Sequence, residues 1–150
     1  MGWFNYMDWF NYIGLIIIVA FLIPNVDFAA THKDGFENKF HNKTVEVLEQ
    51  IGRFGCFIFM IINIPYTYFG FYSDGVKLAY IVINGVLTLA YDVIWGIMWK
   101  RAGLLKSILL SAVPSVIFIF SGVTIASVPL MIFAIIFAPT HILISVKNSI

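Results

Sequence analysis

The chain has 150 residues, of which 61% are hydrophobic and only 11% are charged, and its formal net charge is +1. A soluble domain carries about 25% charged residues, so a chain of this size could not cover such a composition with polar surface. The composition therefore predicts a membrane protein and gives no reason to expect a nucleic-acid partner. Cys56 is the only cysteine, which excludes an internal disulfide and a Cys-x-x-Cys redox pair.

Apolar runs of about twenty residues are long enough to cross a bilayer as helices. Five such runs, separated by turns and charged breaks, predict transmembrane helices over residues 9–24, 51–71, 78–99, 107–121 and 129–146. The predicted fold class is all-α: one polytopic domain over residues 1–150, a bundle of five transmembrane helices with a cytoplasmic segment at 25–50. Pro65, Pro114 and Pro139 fall inside three of the spans, and these helices are predicted to be kinked because proline removes a backbone donor.

The basic residues divide unequally between the two sets of connections. One set carries only Lys77, whereas the other, with Arg53 just inside the second span, carries eight: Lys33, Lys39, Lys43, Arg53, Lys100, Arg101, Lys106 and Lys147. The positive-inside rule then predicts an extracytoplasmic N-terminus and a cytoplasmic C-terminus. A cleaved signal peptide is the competing interpretation, but the region before the first span has no lysine or arginine and contains Asp8, which disfavours it.

Asp92 is the carboxylate that lies deepest inside a predicted span. A carboxylate there is costly unless it is paired, protonated or in contact with water. Asn84, Thr88, Tyr91 and Trp95 follow one another at helical spacing, with Asp92 at the edge of their stripe. The stripe is predicted to face the bundle. It indicates either a functional polar pathway or a hydrogen-bond network that only holds the helices together.

His141 lies in the fifth span at a depth similar to that of Asp92, so the two side chains are predicted to be able to share a proton or a hydrogen bond. Glu49 and Arg53 are one helical turn apart, with the acid first, which is the favourable order for an ion pair. That pair predicts an interfacial anchor or, alternatively, an arginine aimed inward at an anionic group. Asn63, together with Asn84, would continue a polar route outward.

Two further patterns have simple interpretations. The sequence Trp-Phe-Asn-Tyr at residues 3–6 recurs at residues 9–12. Aromatic residues with polar edges predict an interfacial belt at the outer membrane surface. His32, Asp34, Glu37 and His41 could hold a metal ion, but their spacing matches no strong motif and solvated charge is the favoured interpretation. No metal and no cofactor are expected, and no nucleophile motif or paired catalytic carboxylates are found.

The segments Glu49-Gln50-Ile51-Gly52-Arg53-Phe54-Gly55-Cys56 and Ala112-Val113-Pro114-Ser115, the latter followed by Ser121-Gly122, resemble those of small multi-pass bacterial membrane proteins of unassigned function. The resemblance covers much of the chain from residue 24 onward. It implies a bacterial inner-membrane location and says nothing about activity.

The sequence leaves three functions open, with the lipid bilayer as the common partner and no small-molecule ligand identified. The first is a small transporter or channel-like carrier, based on proline-containing helices and a polar cluster in the cytoplasmic half; five helices are few for a pathway, so a homodimer is then expected. The second is a binding, sensory or accessory subunit. The third, a lipid-acting enzyme using Asp92 and His141, ranks lowest because no nucleophile or metal set accompanies them.

Overall fold

A computed structural model describes residues 9–31, 40–101 and 103–149 of the chain. The fold is all-α, and the described residues form five helices. These are α1 (Tyr12–Thr31), α2 (Lys43–Ile61), α3 (Asp74–Ile97), α4 (Leu104–Ile125) and α5 (Val128–Ser149).

Four of the five helices, α1, α3, α4 and α5, are long and apolar enough to cross a membrane. The exception is α2, whose 19 residues include four charged ones: Lys43, Glu46, Glu49 and Arg53. Those charges stand in the first eleven positions of α2, and its second half is apolar. The prediction of an all-α chain is thus confirmed, with four helices that could span a membrane, and a fifth span remains a prediction.

The bounds of the first two helices differ from the predicted spans. α1 continues through Pro24 to Thr31, whereas α2 begins at Lys43 and ends at Ile61, so residues 62–71 of the predicted second span are not helical. The reason for the early end is Pro65, which has no N–H and disfavours helical backbone at Ile64. Pro65 therefore follows α2 and was wrongly predicted to lie inside a helix.

Two of the three predicted prolines do lie inside helices, Pro114 in α4 and Pro139 in α5. Bending of those helices at the prolines remains a prediction. The beginning of α2 is set by Asn42, whose side chain accepts a hydrogen bond from the Val45 N–H at 3.3 Å. Such a cap satisfies one of the backbone donors that the first turn of a helix leaves free.

One end of the bundle, which we call the aromatic end, brings together residues 9–11, 62–73 and 126–127. The Asn11 N–H donates to the Ile61 carbonyl at 2.6 Å, and the Asn63 N–H donates to the Trp9 carbonyl at 2.7 Å. Backbone hydrogen bonds donated by the N–H groups of Phe69 and Val128 similarly join residues 67–69 to the α4–α5 turn. The end takes its name from its exposed rings: Trp9, Tyr12, Tyr66, Phe69 and Tyr72.

The opposite end, which we call the basic end, contains the end of α1, the start of α2, residues 98–101, residue 103 and the end of α5. The Phe40 N–H donates to Asn148 Oδ1 at 2.8 Å, and the hydroxyls of Ser107 and Ser149 are in contact. Its described basic residues are Lys43, Lys100, Arg101, Lys106 and Lys147. The two sets of connections predicted from the charge pattern therefore do lie at opposite ends; the first copy of the Trp-Phe-Asn-Tyr repeat and residues 32–39 lie outside the described residues.

The centre of the bundle is closed by aromatic side chains. Phe118 of α4 is fully buried, and its ring centroid lies 5.7 Å from that of Phe21, 6.0 Å from Phe57 and 5.3 Å from Phe137. Phe21 in turn contacts Tyr91 of α3 edge to face at 5.9 Å. All five helices thus contribute a ring to one cluster, which we call the Phe118 cluster.

Glycines let α2 approach α5 closely. A Cβ on Gly52 would lie 2.8 Å from the backbone nitrogen and Cα of Phe137, and one on Gly55 would overlap the ring of Phe133. Small residues at such contacts allow backbones to pack without intervening side chains. The close approach is what brings the side chains on the neighbouring turns of α2 and α5 within hydrogen-bonding distance.

Candidate functional site

The most polar contact between two helices is a cluster of Glu49, Arg53 and His141, which we call the Glu49 cluster. Arg53 Nε donates to Glu49 Oε1 at 3.0 Å, and Arg53 Nη2 also bonds the carboxylate. His141 Nδ1 lies 3.2 Å from the same Oε1. One carboxylate therefore joins a guanidinium on its own helix to an imidazole on α5.

Burial within the Glu49 cluster is uneven. The Glu49 side chain is only 4% exposed, whereas those of Arg53 and His141 are 39% and 25% exposed. A carboxylate removed from solvent is costly unless its oxygens are compensated, and here Arg53 supplies both charge and hydrogen bonds. The cluster is thus a compensated acid with its cationic side turned toward the surface of the bundle.

The local sequence explains how this cluster forms. Glu49 and Arg53 are four residues apart on α2, and Gly52 between them permits the approach of α5. On α5, Phe137 stacks on the His141 ring at 4.5 Å between centroids, which fixes the imidazole against α2. The predicted Glu49–Arg53 pair is confirmed.

The predicted contact between Asp92 and His141 is wrong. α5 packs against α2 and α4, whereas Asp92 lies on α3, which packs against α1 and α4. Similar depth in the sequence therefore did not mean proximity, because the two helices are not neighbours. His141 bonds to Glu49 instead.

The stripe on α3 faces the bundle as predicted. Asn84, Thr88, Tyr91 and Trp95 are all buried, and Tyr80 extends the same face toward the aromatic end. Neighbouring segments contact this stripe through three side-chain hydrogen bonds, the first from the residue just before α1: Asn11 Nδ2 to Tyr80 Oη at 3.0 Å, Asn84 Nδ2 to Ser121 Oγ at 3.0 Å and Asn25 Nδ2 to Tyr91 Oη at 2.6 Å. The stripe thus links α3 to both α1 and α4.

Asp92 is half-buried at the edge of that stripe. Its Oδ1 is enclosed, and no described residue forms a hydrogen bond with it. Trp95 stands one turn farther along α3. Among the residues that the structure describes, Asp92 is the acid that burial leaves uncompensated.

Asn63 lies apart from the other predicted site residues. It is buried in the irregular segment after α2, where its N–H donates to the Trp9 carbonyl. A shallow apolar groove of about 380 Å³ opens at the same end, lined by Tyr66, Thr67, Val128, Pro129, Ile132 and Phe133. None of the predicted site residues, Asn63 included, lines it.

Sequence reasoning missed an arrangement of rings at the basic end. Phe28, Trp95 and Trp99 pack with centroid distances of 4.8, 5.1 and 5.7 Å, and we call this set the aromatic corner. Lys106 Nζ lies 4.5 Å from the centroid of Phe28 and 4.9 Å from that of Trp95. The four-residue spacing of Trp95 and Trp99 was the available signal, but neither Phe28 nor Lys106 could be assigned to it from spacing.

No group of three histidine, cysteine or acidic side chains that could hold a metal ion occurs within residues 9–31, 40–101 and 103–149. Most of the weak metal pattern, His32, Asp34 and Glu37, lies outside that part of the chain. No protein family, curated protein or solved structure matches the chain.

Proposed function

We propose that all five helices cross a membrane, with the aromatic end outside and the basic end in the cytoplasm. The four apolar helices support a lipid environment. α2 is 19 residues long, and at about 1.5 Å per residue this length approaches the thickness of a hydrocarbon core. Lys43 and Glu46 lie near the basic end, and Arg53 is compensated by Glu49, so α2 can span without an isolated charge.

The orientation is supported by both ends of the bundle. Exposed rings gather at one end and basic residues at the other, as expected for an outer aromatic belt and a cytoplasmic surface. A bacterial inner membrane is the setting we propose, on the basis of the sequence resemblance.

This orientation predicts opposite labelling of the two ends in whole cells. Single cysteines replacing Tyr66 and Arg101, each in a Cys56→Ala background, place a thiol on an exposed position at either end. An impermeant maleimide should label Tyr66→Cys and spare Arg101→Cys until the cells are permeabilised. Labelling of Arg101→Cys alone would reverse the proposed orientation.

We further propose that the chain acts as a membrane-embedded binding or accessory subunit. The observation that carries this proposal is the Phe118 cluster, in which rings from all five helices fill the centre of the bundle. A transporter or channel needs a water-filled path past the Phe118 cluster, whereas a binding subunit needs a rigid scaffold with sites at its ends or sides.

A small carrier is the second candidate, and the α3 stripe is the observation that favours it. Asn84 and Thr88 are buried polar residues between the two ends of the bundle, and polar groups at such depth often mark a pathway. A homodimer remains an expectation of that alternative. For a lipid-acting enzyme, the Glu49 cluster shows no hydrogen bond to a serine, threonine or cysteine among the described residues, and Asp92 Oδ1 has no hydrogen-bond partner there.

Thiol accessibility at the core distinguishes the first two candidates. In proteoliposomes, native Cys56, which is fully buried, should stay unmodified by a small water-soluble methanethiosulfonate reagent and react after denaturation in detergent. Thr88→Cys in a Cys56→Ala background should behave in the same way, while Arg101→Cys in that background serves as the reactive control. Modification of Thr88→Cys at a rate near that of Arg101→Cys would reveal water along the stripe and favour the carrier.

A further inference from the structure

We infer that the Glu49 cluster is a proton-binding site, in which His141 takes up a proton at Nε2 and the cluster changes from neutral to singly positive. The inference rests on the proposed role as a membrane-embedded binding subunit. It gives that role a ligand, the proton, and a location, the seam where α2 packs against α5.

Arg53 holds Glu49 in its ionised form. Arg53 Nε and Nη2 donate hydrogen bonds to the carboxylate, and both carboxylate oxygens accept from this guanidinium. A guanidinium has no acceptor and keeps its proton in proteins, so these bonds use lone pairs of the Glu49 oxygens. Glu49 is therefore an acceptor toward its other neighbour, His141.

The same acid fixes the tautomer of His141. Because Glu49 Oε1 only accepts, His141 Nδ1, which lies 3.2 Å from it, must carry the hydrogen. A neutral imidazole has one N–H, so the lone pair is on Nε2. His141 Nε2 forms no hydrogen bond with a residue that the structure describes, and the side chain is 25% exposed. The cluster thus presents one free basic nitrogen.

Two contacts stabilise the imidazole once it is protonated. Its hydrogen bond to Glu49 becomes an ion pair, and the Phe137 ring lies nearly parallel to it, with 4.5 Å between the centroids. Phe137 is buried, and an aromatic face attracts a cation more strongly where water is excluded. Arg53 opposes proton uptake, because it is a second cation on the same carboxylate.

Glu49 and Arg53 are the charged groups that meet the imidazole from the neighbouring helices. The other charged or titratable residues of α2, α4 and α5 stand at other levels: Lys43, Glu46 and Cys56 on α2, Lys106 on α4 and Lys147 on α5. Lys106 is engaged with rings of α1 and α3. Glu46 is one helical turn from Glu49, and its negative charge would favour proton uptake as well.

Polar side chains stand between the site and the basic end. Ser145 and Asn148 follow His141 at helical spacing on α5, and Gln50 is exposed on α2. Asn148 Oδ1 accepts from the Phe40 N–H, so the end of α5 lies against the residues that precede α2. In the proposed orientation a proton would reach the seam from the cytoplasm along this polar side.

The experiment is solid-state nitrogen NMR of the full chain in phosphatidylcholine bilayers, with His32→Gln and His41→Gln so that His141 is the one labelled imidazole. At alkaline pH, Nδ1 should carry a hydrogen and Nε2 should not. Acidification through about pH 8 to 5, the range in which histidine changes charge, should protonate Nε2 while Nδ1 keeps its hydrogen. A bare Nδ1 at alkaline pH, or an imidazole that stays neutral throughout, would overturn the inference.

Two variants connect proton uptake with the cluster. Arg53→Met removes the opposing cation and should raise the proton affinity of His141 at least tenfold. Adding Glu49→Gln removes the acid as well and should lower that affinity at least tenfold relative to Arg53→Met alone. Lys147→Met, which also removes one cation from this part of the chain, is the matched control and should leave the affinity unchanged. Equal affinities in all of these proteins would contradict the proposal.

Failure of this inference and failure of the proposed function are separate results. The tautomer is measured in a chain that keeps the whole Glu49 cluster, so a folding defect in either variant does not affect it. Protection of Thr88→Cys together with a bare Nδ1 would retain the binding subunit and remove the proton site. Rapid modification of Thr88→Cys together with the expected tautomer and affinities would retain the proton site and favour the carrier.

Discussion

Replacing Phe118 by alanine should lower the free energy of unfolding by about 3–5 kcal/mol, the range found for truncation of buried phenylalanine. Phe118 is fully buried and contacts rings on α1, α2 and α5. Truncation would remove these contacts together and leave a cavity where the helices meet. Because lipid is as apolar as the core, the loss would come mainly from packing. Reversible unfolding in mixed detergent micelles measures it.

Ile119→Ala is the matched control for this prediction. Ile119 is the next residue on α4 but is 42% exposed, so its truncation should change stability by well under half as much as that of Phe118. Similar destabilisation by both variants would indicate that α4 is not oriented with Phe118 at the centre. The same variant bears on the proposed function, because opening the centre should also make Cys56 reactive toward the small thiol reagent.

Replacing Arg53 by methionine should destabilise the protein by about 3 kcal/mol, at the low end of the range for removing one partner of a buried ion pair. The variant would leave the Glu49 side chain, which is 4% exposed, with only His141 as a polar partner. The low end applies because the Arg53 side chain is itself 39% exposed and its charge is partly screened. Reversible unfolding of the variant and of the native protein in mixed detergent micelles measures this difference in the free energy of unfolding.

A double variant distinguishes the loss of the Arg53 side chain from the cost of leaving the Glu49 carboxylate without a countercharge. Glu49→Gln with Arg53→Met removes both charges and should be more stable than Arg53→Met alone, since no uncompensated acid is left. Should the double variant be the less stable of the two, the carboxylate must be compensated by something other than Arg53. His141→Gln in the native background tests the remaining polar partner and should cost less than Arg53→Met.

Features that depend on one helix were predictable from the sequence. The buried stripe of α3 follows from the spacing of Asn84, Thr88 and Tyr91, and the Glu49–Arg53 pair follows from a single helical turn. The division of the connections between two ends follows from the alternation of apolar runs and charged breaks. Each of these depends on residues close together in the chain, where helical periodicity alone fixes geometry.

Features that depend on which helices are neighbours were not predictable. Depth could not indicate that His141 meets α2 rather than Asp92 on α3, because one sequence does not specify the arrangement of the helices around the bundle. The end of α2 at Ile61 was missed because an apolar run continues to Phe71, and hydropathy does not distinguish helix from irregular chain tied by backbone bonds. The contact of Lys106 with Phe28 joins α4 to α1 and has no local signal.

The backbone pairing at the aromatic end imposes an order on biogenesis. Residues 9–11 can form these backbone hydrogen bonds only after Ile61 and Asn63 have left the ribosome. Residues 67–69 can form theirs only after Ala126 and Val128 have done so. The segment between α2 and α3 therefore cannot complete its backbone hydrogen bonds until the α4–α5 hairpin has been synthesised. A nascent chain stalled before α5 would present the Gly52 face of α2 and the Glu49 acid without their partner helix, a form that membrane quality control could recognise as incomplete.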